Sequence, residues 1–581
     1  MTTTAAPQVL IAHSPGRTSG GLSFRVGHAD ETLPTSGTTA LVVALALRAV
    51  ERPGLDLTAS VGPAVTQVRV NGSPERVRAT LRELARALAD LPVQHRGTET
   101  RVLQEAAAGE VAVPPWRFGL SGYGLGPNQR TGLHRVTDTE IRAWARDRFT
   151  GTNAVAWVAG EMTDELELPL PAGTADRTFV APELPVALAT LPAEAPAGGT
   201  RVRWESVVPD EPALRLLAEV ARRAVFQNLR HEQGWTYDVQ ATVESLDGRM
   251  ASFELTAGLR PQTAAEATGE FLDTLGRLRY AVADDELEVA RGHLLAVYDE
   301  PHQDAVWLSE NAVLTLLGMP VPSHAERRAA LVDVTAADVV EVARQVWDTG
   351  LLVTPVGSGW AGLVEVTPGA GDSVTGTAFE RVDADATVWV GEEGATVRDG
   401  RATATVRFDR TAALLAYPDG GRLLIGLDGA RVPFEPTLHE DLDAAALPGL
   451  IDERLPDGLV IPVPRPRSPE PPGQDRVRQV RKARSARETA DNGLSRTFDS
   501  RSGALRELVL VCVLSLGALV GLLGALFCGV TLVGWLFSLA DGERGWQEPV
   551  VTLVVGLASA GLARLCMWGL TRPAPQPSTT D

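Results

Sequence analysis

The same order of polar and hydrophobic positions occurs in two distant stretches of the chain. The segments VTDTEIRAWARDRFTGTNAVAWVAG, from Val136, and VTAADVVEVARQVWDTGLLVTPVG, from Val334, each place a threonine before apolar positions at helical spacing and close with an apolar run. Each threonine is expected to accept hydrogen bonds from the free amides of the first helical turn. About the first 365 residues are therefore predicted to hold two copies of one α/β unit. The core-facing positions of the two helices would be Ile141 and Trp144, and Val339 and Val342.

Other patterns predict further elements in both copies. In the first copy, GGLSFRVGHADE indicates a strand and SGTTALVVALALRAV a buried helix, and an amphipathic helix begins with Ser73 as its cap and Pro74 at its first position. Its core positions would be Val77, Leu81, Leu84 and Leu88. In the second copy, a helical run ends near Leu229, TYDVQATV and MASFELTAGL indicate strands, and DDELEVARGHLLAVY indicates a helix. The segment LPAEAPAGGT is interpreted as a link between the copies.

Beyond residue 370 the pattern changes to short alternating runs separated by Asp-Gly turns, which predict a small antiparallel β domain. A proline-rich and then basic segment, too polar to fold alone, follows as a linker. The predicted organisation is two homologous α/β units, a small β domain, a linker and a C-terminal helical hairpin. The predicted boundaries are 7–165, 196–366, 372–450, 451–504 and 505–571.

The hairpin prediction rests on two apolar runs, at 508–540 and 550–570, which each reach the ~20 apolar residues needed to span a bilayer. Neither run has a polar face, which argues against two buried core helices. Arginines are concentrated before the first run, Arg572 follows the second, and the connection DGERGWQEP is acidic. The positive-inside rule then predicts a cell-membrane protein with two spans, with its N-terminal body and its C-terminus in the cytoplasm.

Composition narrows the function classes. The net charge of −19 and a single lysine, Lys482, argue against nucleic-acid binding. All three cysteines, Cys512, Cys528 and Cys566, lie in the apolar C-terminal region, so the globular part has no disulfide, no cysteine zinc site and no thiol nucleophile. The N-terminus lacks the charged start and long apolar run of a secretory signal.

The segment LRHEQGWTYDV, 229–239, resembles the motif Leu-Arg-Glu-x-x-Gly-x-x-Tyr-x-Val of the insulinase/pitrilysin family of zinc peptidases. The resemblance extends over about residues 8–366 and includes GTTALVVAL, YGLGPN and FELTAGLRP in the same order. Members of that family are built from paired α/β units, and active members carry H-x-x-E-H on the first apolar helix of the first unit. The resemblance therefore implies a peptidase fold and directs attention to that helix.

The zinc motif is missing here. Ala40, Val43 and Ala44 stand where the two histidines and the glutamate would be, and none of them can bind zinc or act as a base. No one-turn shift restores histidines, because none lies between His28 and His95. The downstream glutamate ligand of the family would fall near Glu99 and Glu105, which, without imidazoles, are interpreted as a solvated helix face. The chain itself is expected to bind no metal cofactor.

The resemblance also implies roles for two retained residues: Tyr237 donates to the developing oxyanion and Arg230 grips the substrate. The leading hypothesis is a membrane-anchored subunit, inactive alone, that binds peptides and completes the active site of an insulinase-like partner that carries the zinc. The chain would then be the non-metal subunit of a heterodimeric zinc metalloendopeptidase. The alternative is a degenerate peptidase that serves as a peptide-binding scaffold or structural subunit without proteolysis.

Overall fold

The computed structural model describes residues 6–465, except for 51, 53, 108–116, 129, 162–165, 175–189, 197–198, 247–248, 300–301, 358, 360, 367–371 and 401. The predicted transmembrane hairpin and the predicted linker from residue 466 onward lie outside the described residues. Within them, one helical stretch, Leu33–Val50, is long and apolar enough to cross a membrane. Because 67% of that stretch is buried inside the fold, it is interpreted as a core helix.

The first unit is a five-stranded sheet with helices packed against one face. The sheet order is β1-β5-β2-β4-β3, in which only the β1–β5 pair is parallel. The strands are β1 (Gln8–Ala12), β2 (Thr18–Phe24), β3 (Asp56–Val61), β4 (Thr66–Gly72) and β5 (Ala154–Ala159). The helices are α1 (Thr38–Val50), α2 (Pro74–Ala89), α3 (Arg96–Ala107) and α4 (Asp138–Arg148). Leu22, Phe24, Leu45 and Leu81 lie in the core between these layers.

The second unit repeats this topology. Its strands are β6 (Ala193–Pro196), β7 (Arg201–Pro209), β8 (Val239–Ser245), β9 (Met250–Gly258), β10 (Leu351–Thr354) and β11 (Val364–Glu365). The sheet order is β11-β6-β10-β7-β9-β8, so five strands have the order and directions of the first sheet. The helices are α5 (Pro212–Phe226), α6 (Ala264–Leu278), α7 (Asp284–Ala296), α8 (Gln303–Val306), α9 (Leu308–Leu316), α10 (His324–Val332) and α11 (Ala336–Asp348). The α/β class is confirmed.

Local capping explains where three of the predicted helices begin. Thr137 accepts from the Glu140 amide while the Glu140 carboxylate accepts from the Thr137 amide, and Thr335 makes the same box with Asp338. Ser73 caps α2, Pro74 opens it, and the four predicted apolar positions of that helix are buried. These predictions are confirmed because side-chain capping depends on residues within one helical turn.

The interpretation of LPAEAPAGGT as a link between the copies is wrong, because β6 lies within it. β6 pairs in parallel with both β10 and β11. Ala193 and Ala195 are buried in the core beside Leu351 and Val353, so small apolar side chains here fill a packed sheet. Composition alone suggested an irregular connection.

One helix of the second unit covers the far face of the first sheet. Leu308, Ala312 and Leu316 of α9 pack against the β5 side chains Val155, Trp157 and Ala159. The Gln67 amide of β4 also donates to the Ser309 hydroxyl at 3.3 Å. The first sheet is thus enclosed on both faces, with α9 supplied from a distant part of the chain.

The β domain consists of two four-stranded sheets. The strands are β12 (Thr377–Glu380), β13 (Ala386–Val390), β14 (Gly394–Asp399), β15 (Ala402–Arg407), β16 (Thr411–Ala416), β17 (Arg422–Gly426), β18 (Arg431–Phe434) and β19 (Val460–Pro462), with a short helix, α12 (Leu447–Leu450). Neighbouring strands are antiparallel except β16 and β19, which run parallel. The prediction of a purely antiparallel domain is therefore wrong for the β16–β19 pair.

The predicted start of the linker at residue 451 is also wrong. Ile451, Leu455 and Ile461 are buried, and β19 completes the second sheet of the β domain. That sheet packs on the first unit, where Leu33, Leu120 and Leu125 contact Ala412, Ile425 and Ile461. The Leu120 amide donates to the Leu427 carbonyl at 2.7 Å, which fixes the contact.

Candidate functional site

Arg230 lies at an irregular end of α5. The helix widens into a π-helical turn over Gln227–Glu232, and Leu229 anchors that turn in the core with no exposed surface. The Asn228 side-chain amide donates to the Thr274 hydroxyl of α6 at 2.8 Å. Local π-turns are frequent at functional sites because they redirect neighbouring side chains. Here the turn leaves Arg230 half-buried at the surface.

Gly234 ends the turn and brings Tyr237 back toward Arg230. Its φ of +67° lies in the left-handed region, which glycine adopts without a Cβ clash. The amides of Trp235 and Thr236 both donate to the Leu229 carbonyl, at 2.8 and 3.3 Å. Thr236 is buried, so the turn is fixed immediately before Tyr237.

The structure places the two predicted residues together and adds a third. The guanidinium carbon of Arg230 lies 5.1 Å from the centroid of the Tyr237 ring, and that of Arg260 lies 4.9 Å from it. The Arg260 Nη2 donates to the Tyr237 hydroxyl oxygen at 2.6 Å. Tyr237 itself is 69% exposed. The site is therefore a surface phenol flanked by two cations.

Sequence reasoning missed Arg260, because it is 23 residues away from Tyr237. The only feature that could have identified Arg260 is the pairing of the two strands on either side of the site. Val239 pairs with Ala257, so the residues just before β8 lie beside those just after β9. Both strands were predicted, but pairing them in this register was needed to bring Arg260 to the phenol.

The charges around the site are unbalanced. Asp238 is held by Arg201 at 2.8 Å, which neutralises the carboxylate nearest to Tyr237 in sequence. Neither Arg230 nor Arg260 has a carboxylate at ion-pairing distance in the part of the chain that the structure describes. Two positive charges therefore remain available to a ligand.

The first helix of the first unit cannot hold zinc through the family positions. Ala40 and Ala44 are half-buried, Val43 is buried, and all three side chains are hydrocarbon. Zinc needs histidine, cysteine or carboxylate ligands at these places. No cluster of three such residues occurs among the described residues.

An ion pair lies one turn further along α1. Arg48 Nη1 is 2.6 Å from Glu99 Oε1 of α3, and Glu99 is only 9% exposed. The interpretation of Glu99 as part of a solvated face is therefore wrong, whereas Glu105 is exposed as expected. The guanidinium neutralises the charge of this buried carboxylate, so no metal ion is needed to do so.

Two buried titratable residues precede α1. The Glu31 carboxylate accepts from the amides of Gly37 and Thr39, both at 2.7 Å. Burial nevertheless raises the pKa of Glu31 to about 7, outweighing these hydrogen bonds. Burial lowers the pKa of His28 to about 4. Both residues lie in the loop that leads into α1, and neither was singled out by the sequence.

Comparisons with known proteins agree on one fold. Residues 199–294, which include Arg230, Tyr237 and Arg260, match the family model described as the peptidase M16 inactive domain. The peptidase M16 inactive domain from Pseudomonas fluorescens is 13% identical and superposes on 61% of this chain and 97% of its own, with a TM-score of 0.51. A protease from Helicobacter pylori is 15% identical over 61% of this chain and 99% of its own, also with a TM-score of 0.51.

No curated protein matches the sequence. The structural likeness at these identities shows the fold alone, and it agrees with the two-unit topology described above. The second unit also carries the family's inactive-domain signature. The match therefore places a peptidase M16 inactive domain at residues 199–294, and the described body has the fold of the two structures named above.

Proposed function

We propose that this chain is a zinc-free subunit that completes the active site of a zinc-bearing, insulinase-like partner through Arg230 and Tyr237. The observation that carries the proposal is the contact between these residues, at 5.1 Å from guanidinium carbon to ring centroid, in a chain whose first unit has only hydrocarbon at the metal positions. An arginine and a tyrosine in a chain without metal ligands can still contribute to catalysis when a second chain binds the metal.

The chemistry of the pair supports a role in peptide cleavage. Arg260 donates to the phenol oxygen, so the Tyr237 hydroxyl hydrogen remains free to donate to an oxyanion. Arg230 offers several N–H donors in a plane, which suits carbonyl and carboxylate oxygens of a bound peptide. The exposure of Tyr237 is compatible with a site that closes only when the partner covers it.

We further propose that the C-terminal hairpin anchors the chain in the cell membrane with its body in the cytoplasm. The support is the length and apolarity of 508–540 and 550–570 and the arginines that precede them. Proteolysis would then occur at the inner membrane surface.

A second candidate function is a peptide-binding scaffold without proteolysis. The 69% exposure of Tyr237 favours it, because an oxyanion donor is normally shielded from water. In that function the two arginines would hold a ligand that is never cleaved.

Metal analysis of the native complex distinguishes the two functions. We expect the full chain, tagged and extracted in mild detergent, to co-purify with a second chain that carries H-x-x-E-H, with zinc in proportion to that second chain. Zinc bound by this chain alone would contradict the proposal. Absence of both zinc and such a partner would favour the scaffold.

Tyr237→Phe tests the role of the phenol in the purified complex. Loss of an oxyanion donor typically lowers kcat by about two to three orders of magnitude, and we expect that loss in peptide cleavage. Tyr280→Phe is the matched control, since Tyr280 is 75% exposed in the same unit and also lies beside an arginine. Equal activity of both variants would exclude Tyr237 from the chemistry.

A further inference from the structure

We propose that Arg260 and Arg230 form a carboxylate-binding site around Tyr237, so that the preferred ligands of this chain are peptides that present a carboxylate. The inference deepens the proposed function by naming a ligand class for the same surface. It also assigns a role to Arg260, which holds the phenol and shares the ligand with Arg230.

The first argument is charge. Four other arginines of the second unit are paired with acids of the same unit at 2.8 to 3.1 Å. These pairs are Arg201 with Asp238, Arg203 with Glu205, Arg215 with Asp210, and Arg277 with Glu286. Arg230 and Arg260 instead share one phenol and, among the described residues, have no acid partner. An external anion supplies what the neighbouring pairs find within the fold.

The second argument is distance. Since each guanidinium carbon lies about 5 Å from the same ring centroid, the two charges are within about 10 Å of each other, comparable to the screening length at 0.1 M salt. Their mutual repulsion is therefore not fully screened. A carboxylate placed beside the ring reduces this repulsion and can accept charge-assisted hydrogen bonds from a guanidinium group.

The third argument concerns the peptide. β8 begins two residues after Tyr237 and lies at the end of the sheet order, with no described strand on its outer side. An extended peptide can add to such an edge through backbone hydrogen bonds. Its carboxylate would then reach the two guanidinium groups at the start of the strand.

The test is peptide binding by the purified full chain in a detergent with neutral head groups. Three peptides of one sequence carry the same zwitterionic dye at the N-terminus: one with a free C-terminus, one amidated, and one amidated with an internal Gln replaced by Glu. We expect at least one carboxylate peptide to bind about tenfold more tightly than the neutral amide, as measured by fluorescence anisotropy. The arm that binds identifies the source as a chain terminus or an acidic side chain.

Variants connect the preference to the site. We expect Arg260→Gln and Arg230→Gln each to remove most of the tenfold preference, and Arg260→Lys to keep part of it, because lysine retains charge without the planar fork. Arg279→Gln is the matched control, since Arg279 lies 5.3 Å from the ring of the exposed Tyr280. A far-ultraviolet circular dichroism spectrum identical to that of the parent shows that each variant is folded.

Equal binding of the neutral and carboxylate peptides would overturn the inference, as would a preference that persists in both Gln variants. The assay needs neither zinc nor partner. A carboxylate preference without any zinc-bearing partner leaves the inference intact and removes the proposed function. If the complex is a Tyr237-dependent peptidase but shows no preference for carboxylate peptides, the proposed function stands and this inference is overturned.

Discussion

His28 and Glu31 lie in the loop before α1, where burial displaces their pKa values in opposite directions. Between pH of about 4 and 6.5, the unfolded chain binds a proton at His28 that the folded chain does not, so this residue makes stability rise with pH. Between about 4.5 and 7, the folded chain keeps a proton on Glu31 that the unfolded chain releases, so this residue makes stability fall with pH. The two contributions oppose each other over nearly the same range.

Single substitutions should therefore reveal each contribution. Relative to the parent, the stability of Glu31→Gln should rise with pH between about 4.5 and 7, where the lost Glu31 contribution falls, and that of His28→Gln should fall between about 4 and 6.5, where the lost His28 contribution rises. Each change is about 3 kcal/mol across its range, because one pKa unit corresponds to about 1.4 kcal/mol. Thermal unfolding of the full chain in detergent, measured against pH, checks both. The exposed His231→Gln should track the parent, and parallel curves for all variants would contradict the prediction.

At the scale of elements, α9 shows how the second unit stabilises the first. Its apolar side chains cover a sheet face that helices α1 to α4 leave open, and Leu308 and Leu316 are almost fully buried there. Each sheet of a layered α/β fold must bury its apolar face against another element. The first unit is therefore not expected to be stable without the segment that contains α9.

Leu316→Ala tests this dependence. Removing a buried leucine side chain costs about 2–5 kcal/mol through lost burial and the cavity left behind. We expect hydrogen exchange to accelerate in β1, β2 and β5, which α9 covers, and not only in α9. Val306→Ala in α8 is the control, since Val306 is 47% exposed and should change exchange little. Faster exchange confined to α9 would show that the first sheet is stable by itself.

At the scale of the whole described body, Arg117 joins the two units. It is buried, and its Nη2 donates to the Glu205 carbonyl at 2.7 Å and the Thr349 carbonyl at 2.8 Å. Burial lowers the pKa of Arg117 to about 10, so it stays charged near neutral pH. The Tyr123 hydroxyl adds a hydrogen bond to the Leu246 carbonyl at 3.1 Å. The contact between units is thus polar as well as hydrophobic.

Arg117→Gln should weaken that contact. Each carbonyl that loses its donor costs about 1–3 kcal/mol when it remains buried. We expect a lower urea midpoint for the full chain and faster proteolysis between the units, with Arg344→Gln as the control because Arg344 is exposed on α11 and pairs with Glu341 of the same helix. An unchanged midpoint would mean that the hydrogen bonds of Arg117 do not stabilise the contact between the units.

Local physics made much of the chain predictable from its sequence. The caps at Ser73, Thr137 and Thr335 act within one helical turn, and the apolar spacing of α2 sets its buried face without reference to the rest of the fold. The hydrocarbon side chains of Ala40 and Ala44 exclude zinc ligation by those positions whatever surrounds them. The resemblance at 229–239 marked Arg230 and Tyr237 for the same reason, since the motif is short and contiguous.

Tertiary structure decided what depends on pairing between distant segments. The β8–β9 register brings Arg260 to Tyr237, the packing of α3 on α1 buries Glu99 against Arg48, and the parallel pairing of β19 with β16 turns a proline-rich stretch into part of a domain. Burial of His28 and Glu31, and hence their pKa values, also follows from neighbours far along the chain. Side-chain chemistry is written in the sequence, but the distances and burial that set its strength are fixed only when remote elements pack together.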